Sequence, residues 1–101
     1  MDEFQQKAVD FAEKNNLDAP TEFRALDFIS EAGEIIKDIT KSGNYGRNPE
    51  DITVKSDEIG ELLFSLFLLA DDLGIDAEQA FEEALEKYRD RVRQKGGPGS
   101  K

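Results

Sequence analysis

FISEAGEIIKD (residues 28–38) and, beyond an intervening loop, SDEIGELLFSLFLLA (residues 56–70) decide how this chain folds. Each holds two carboxylates three apart, Glu31 with Glu34 and Glu58 with Glu61. On an α-helix that spacing puts both members of a pair on one face. At about 100° per residue, Asp27, Glu31, Glu34 and Asp38 fall within an arc of roughly 60°, and Glu58, Glu61, Ser65 and Asp72 share a similar arc on the second helix, with Val54 as its one apolar member. Ile59, Leu62, Leu63, Leu66 and Phe67 cover much of the remaining surface, and Ser65 is the one polar residue of 62–70. A helix this apolar belongs at the centre of a bundle or at an oligomer interface, so its carboxylates cannot all be freely solvated. Neither arc contains a Lys or Arg, and Arg24 and Lys41 lie only at the margin of the first. A hard divalent cation would relieve the repulsion. Carboxylate oxygens suit Mg²⁺ or Mn²⁺, whereas His and Cys, which suit zinc, are absent. The plainer alternative is a solvated face on an acidic protein.

A chain of 101 residues makes one domain with a modest core, and oligomerisation would help to cover its apolar helix. With 23 acidic against 13 basic residues the net charge is −10, which repels nucleic-acid backbones and anionic membranes. Polymeric nucleic acid and membrane are therefore excluded as expected partners. A small phosphorylated ligand is not, because a bound cation and a few local basic residues can mask the overall charge. The apolar run of residues 62–70 is too short to span a bilayer and residues 1–11 have no apolar signal core, so a soluble cytoplasmic protein is expected. The absence of cysteine removes disulfides and thiol nucleophiles.

Around these two stretches the periodicity predicts an all-α chain of four helices. Phe4, Ala8, Phe11 and Ala12 give a first helix over residues 2–15, ended by Asn15 and Asn16. Phe23, Leu26, Ile29, Gly33, Ile36 and Ile39 give the apolar face of a second helix that runs to residue 41, with Pro20 in its first turn and Thr21 or Asp18 as cap. A third is expected over residues 51–73 with Gly74 ending it. Asp76 then caps a fourth, whose apolar face is Ala77, Ala80, Phe81, Ala84, Leu85, Tyr88 and Val92. Residues 1–93 form the domain and residues 94–101, QKGGPGSK, a flexible tail with no apolar side chain of any size to pack.

Residues 42–50, SGNYGRNPE, read as a loop. The same loop supplies candidate substrate groups at the end of the first acidic helix: Tyr45 a stacking face, Asn44 an amide, Arg47 a phosphate fork, with Lys41 just before it. On the fourth helix Lys87 and Arg91, four apart, could reach a phosphate. With no phosphate-binding glycine loop and no His, chemistry must run on carboxylates, water and metal.

This pattern resembles the MazG-like all-α nucleoside triphosphate pyrophosphohydrolases, whose signature is a Glu-x-x-Glu on one helix and a Glu-x-x-Asp on the next. The match covers residues 21–88: Ser30-Glu31-Ala32-Gly33-Glu34-Ile35 carries the first half, and Asp57-Glu58-Ile59-Gly60-Glu61-Leu62-Leu63 the second, with Glu61 where the family usually has Asp. The family's fourth helix often places an Asn shortly before a Lys and an aromatic; Lys87 and Tyr88 match, while Ala84 and Leu85 occupy the candidate Asn positions. The resemblance implies a four-helix MazG-like bundle completed as a homodimer or homotetramer. It implies Mg²⁺, with Mn²⁺ as substitute, on Glu31, Glu34, Glu58 and Glu61 as catalytic and metal residues, and hydrolysis of a nucleoside triphosphate to monophosphate and pyrophosphate. Lys41, Asn44, Tyr45, Arg47, Lys87, Tyr88 and Arg91 are the expected substrate contacts. Two rival readings stand beside it: a related pyrophosphohydrolase acting on phosphoribosyl-ATP, and a non-catalytic helical oligomer with an acidic metal-binding seam.

Overall fold

The computed structural model describes residues 3–95, and these form four α-helices and one short 3₁₀ turn: α1 (Glu3–Lys14), α2 (Thr21–Ser42), the turn Pro49–Asp51, α3 (Ser56–Asp72) and α4 (Ala77–Lys95). No strand occurs among the described residues. α4 includes Gln94 and Lys95, which the sequence reading assigned to the tail, and residues 96–101 lie outside the described range. None of the described helices is long and apolar enough to cross a membrane.

The helix ends follow from local chemistry. Asn16, with φ 57°, takes the left-handed position after α1, where Asn16 and Leu17 donate to the carbonyls of Glu13 and Ala12. Gly74, with φ 71°, does the same after α3: its N–H reaches Asp71 O at 3.0 Å and that of Ile75 reaches Ala70 O at 2.9 Å. Asp76 caps α4 through Oδ1, which accepts from Gln79 N at 3.1 Å. Neither Thr21 nor Asp18 caps α2. Pro20 holds the cap position with no side-chain bond, and its carbonyl accepts the N–H groups of Phe23 and Arg24.

α3 begins at Ser56 rather than at residue 51. The β-branched run Ile52-Thr53-Val54 favours extended backbone, and tertiary contacts hold it there. Ser42 Oγ donates to Asp38 O at 2.6 Å and accepts from Thr53 N at 2.9 Å. Beside it Gly43 is buried under Ile52, so closely that a Cβ would lie 2.8 Å from Ile52 Cγ1. This tie brings the start of α3 against the end of α2.

α3 packs along α2 on one side and α1 on the other, and touches α4 only slightly. The core lies between α1 and α3: Ala8, Val9, Ala12 and Leu68 are buried, Phe64 and Phe67 pack against them, and Phe11 meets Phe64 edge to face at 6.0 Å. Gln5 is wholly buried with them and joins three segments, its amide nitrogen donating to Ile75 O and its oxygen accepting from Ala77 N.

The apolar face of α2 does not enter this core. Phe23, Leu26, Ile29 and Ile36 are about 60 % exposed, as is Phe81 on α4. The radius of gyration, 16.7 Å, exceeds the roughly 13 Å of a compact domain of this length. One chain therefore leaves two apolar helix faces without a partner.

Candidate functional site

The less exposed side of α2 is mixed: Glu31 and Asp38 stand there with Ala25, Phe28, Ala32 and Ile35, while Phe23, Leu26, Ile29 and Ile36 stay outside. Glu31, Asp38 and Glu58 are half-buried, while Glu34 and Glu61 are exposed. The stripes meet as two cross-helix pairs, Glu31 with Glu61 and Asp38 with Glu58. The oxygen Glu58 Oε2 is buried and receives no hydrogen bond. Its neighbour is another acceptor, so Glu58 and Asp38 can bond only by sharing a proton. That shared bond is the main reason the Glu58 carboxyl is pushed from its ordinary 4.5 up to about 7, with desolvation and the charges of Asp38, Glu34 and Asp57 adding to it. Glu31 is also raised, first by desolvation and then by the charges of Glu61, Glu34 and Asp27. Among the four signature glutamates, Glu34 has a basic neighbour, Lys37 at 3.3 Å, and both of those side chains are about half exposed. A screened i, i+3 pair of that kind neutralises little.

These shifts set a pH dependence. A carboxyl raised in the fold binds more protons folded than unfolded, so stability falls as pH rises from 4.5 through about 7. Without divalent ions the melting temperature is expected to drop across that window, and Glu58→Gln, which cannot ionise, should flatten the fall. An unchanged slope in the variant would show that Glu58 is not the group under pressure.

Two cavities lie at the ends of the seam. The larger, about 720 Å³, has apolar walls from Leu17, Ala19, Phe64 and Leu68 and acidic ones from Asp18, Asp27, Glu31, Asp57 and Glu61. Arg24 enters it held on two sides: Nε faces Asp72 Oδ2 at 3.0 Å, without good hydrogen-bond alignment, and Nη2 donates to Leu17 O at 2.8 Å. The smaller, about 360 Å³, is lined by Asp38, Lys41, Ser42, Thr53, Val54 and Lys55.

Of the substrate contacts expected from sequence, Lys41 alone lines either cavity. The amide nitrogen of Asn44 donates to Asn48 Oδ1 at 3.1 Å and so serves the loop itself. Tyr45 is 69 % exposed and, with φ 55°, sits in the left-handed region, which costs a non-glycine residue roughly 1–2 kcal/mol. Arg47 is exposed beside it. Lys87, Tyr88 and Arg91 stay together on α4, the Arg91 guanidinium 5.6 Å from the Tyr88 ring centre, away from both cavities. The sequence reading did not pick out Arg24, Asp38 and Lys55 as site residues. Asp38 was legible as the fourth member of the α2 stripe, and Arg24 as its margin; nothing in the spacing marked Lys55.

Whether a cation fits is a matter of donor chemistry and convergence. The donors are oxygens only, they press on one another, and one is a buried orphan, all of which suits a hard divalent ion. They are arranged as two pairs, and among the described residues no three converge tightly enough to hold an ion.

A family model described as the MazG nucleotide pyrophosphohydrolase domain matches residues 23–95, which include α3, α4, the loop and all but the first two residues of α2. No curated protein and no solved structure matches the chain. With the match spanning well over half of the residues, and with both acidic pairs inside it, the chain belongs to the MazG nucleotide pyrophosphohydrolase domain family.

Proposed function

We propose that this chain hydrolyses a nucleoside triphosphate to the monophosphate and pyrophosphate with the help of a divalent cation, Mg²⁺ or in its place Mn²⁺. The observation that carries the reading is the mutual approach of Glu31 with Glu61 and of Asp38 with Glu58, a set of like charges that folding alone would avoid. Glu31, Glu34, Glu58 and Glu61 would hold the ion, which when bound screens the triphosphate and lowers the pKa of water. Water attacks the α-phosphorus, its oxygen forming the new bond as the bond to the bridging oxygen breaks. Pyrophosphate leaves and the water's proton passes to a seam carboxylate. Phosphoryl transfer asks for positioning and charge, not for a covalent nucleophile. The test is pyrophosphate release with Mg²⁺ across canonical and damaged nucleotides and phosphoribosyl-ATP. Turnover of phosphoribosyl-ATP alone would replace the substrate class, and no turnover at all would leave a non-catalytic helical oligomer.

The same reading completes the fold with a second chain or more. The exposed stripe from Phe23 to Ile36 supports a homodimer or homotetramer. Light scattering at micromolar concentration should give a multiple of 11.3 kDa, and Leu26→Asp should shift it toward that value. A parent mass near 11.3 kDa would overturn the assembly.

A further inference from the structure

The two cavities differ in a way that gives the seam a direction. Around the larger one five carboxylates face a single basic residue, Arg24, which Asp72 already pairs. Its other walls, Ser65 aside, are apolar and include the Phe64 ring. With Glu31 and Glu61 given to the ion, Asp18, Asp27 and Asp57 still repel a polyphosphate there, whereas a flat heterocycle finds apolar surface. The smaller cavity reverses this balance: two ammonium groups, Lys41 and Lys55, stand with one carboxylate, Asp38, and neither lysine makes an ion pair among the described residues. Its hydroxyls belong to Ser42 and Thr53, and the Ser42–Thr53 tie that delays the start of α3 is what sets Lys55 beside Lys41. No side chain caps the first turn of α3, which opens directly after Lys55. Between the cavities run the carboxylates from Asp27 to Asp38, about 16 Å along α2, the reach of an extended nucleoside triphosphate.

We propose that the cavity of Lys41 and Lys55 binds the terminal diphosphate of the substrate, so that the nucleotide lies along the seam with its base in the cavity of Leu17, Phe64 and Leu68. The inference rests on the pyrophosphohydrolase reading for its substrate and adds to it Lys55, a phosphate-binding residue, and an orientation. In this orientation the carboxylate pair beside the lysines, Asp38 with Glu58, stands next to the bond that breaks.

The probe is inorganic pyrophosphate, titrated with Mg²⁺ into the full isotope-labelled chain. Amide signals of Lys41, Ser42 and Thr53 to Asp57 should shift, while nucleosides without phosphate should shift Leu17, Ala19, Phe64 and Leu68. Lys41→Ala and Lys55→Ala should each weaken pyrophosphate binding roughly tenfold or more, the scale of one hydrogen bond to a charged group, and Lys55→Glu should weaken it further. Nucleoside affinity should not change in any of the three. Pyrophosphate shifts centred on Arg24 and Phe64, unchanged affinity in both alanine variants, or no pyrophosphate binding by the parent chain would overturn the proposal. Its failure is separable from that of the enzymatic reading. A chain that hydrolyses no nucleotide yet binds pyrophosphate through these lysines keeps the site and loses the reaction, and a chain that turns over with both variants unaffected keeps the reaction and loses the site.

Discussion

Replacing Glu58 by alanine should lower kcat/KM for nucleoside triphosphate hydrolysis by on the order of a hundredfold to a thousandfold, the range seen when one preorganised electrostatic group is removed from an active site. The same change should leave the metal-free fold as stable as before, or more so. Glu58 is pressed by Asp38, Glu34 and Asp57, and its buried Oε2 has no donor, so its removal relieves repulsion that folding must otherwise overcome. Glu58→Gln should behave alike, since its amide can donate to Asp38. Opposite signs for activity and stability are what separate a functional carboxylate from a structural one. Glu34→Ala should also remove most turnover, whereas Glu61→Asp, which installs the residue usual in the family, should retain or raise it. Reaction in heavy-oxygen water should label the monophosphate. Full activity in Glu58→Ala, or release of orthophosphate in place of pyrophosphate, would sink the mechanism.

Gln5→Leu is expected to cost about 2–4 kcal/mol of stability, because it strips partners from Ile75 O and Ala77 N while leaving both polar groups where they are. Among the described residues Gln5 is the one large side chain with no exposed surface, and it binds α1 to the joint between α3 and α4. In a domain of this size a loss of that order lowers the melting temperature by roughly 10–20 °C. Gln6→Leu is the control. Its amide bonds to the exposed Asp10 one turn away, and it should change stability by less than about 0.5 kcal/mol. Urea midpoints at constant m-value would make the comparison, and equal midpoints for the two variants would remove Gln5 from its place in the fold.

How far the sequence reaches is clear from where it stops. The helical class, the ends at Asn16, Gly74 and Asp76, and the two acidic stripes are properties of residues one to four positions apart. Spacing along one helix fixes such features before any other helix is present. Which face of α2 turns inward was not determined in that way. Its expected apolar face stays largely outside, with Phe23, Leu26 and Ile29 exposed, and the side the chain covers mixes Phe28 and Ile35 with Glu31 and Asp38. The start of α3 lay equally out of reach, because Ser42 holds Thr53 across eleven positions and keeps a β-branched run extended where periodicity alone would have continued the helix. No local spacing marks Gln5, whose partners lie 70 and 72 residues away. The cavity that sets Lys55 beside Lys41 has the same origin. The sequence by itself determined the helices and the stripes of charge on them; the packing of α2 on α3 decided which carboxylates face one another and which lysines stand at the end of the seam, since those depend on approaches between segments that no local period encodes.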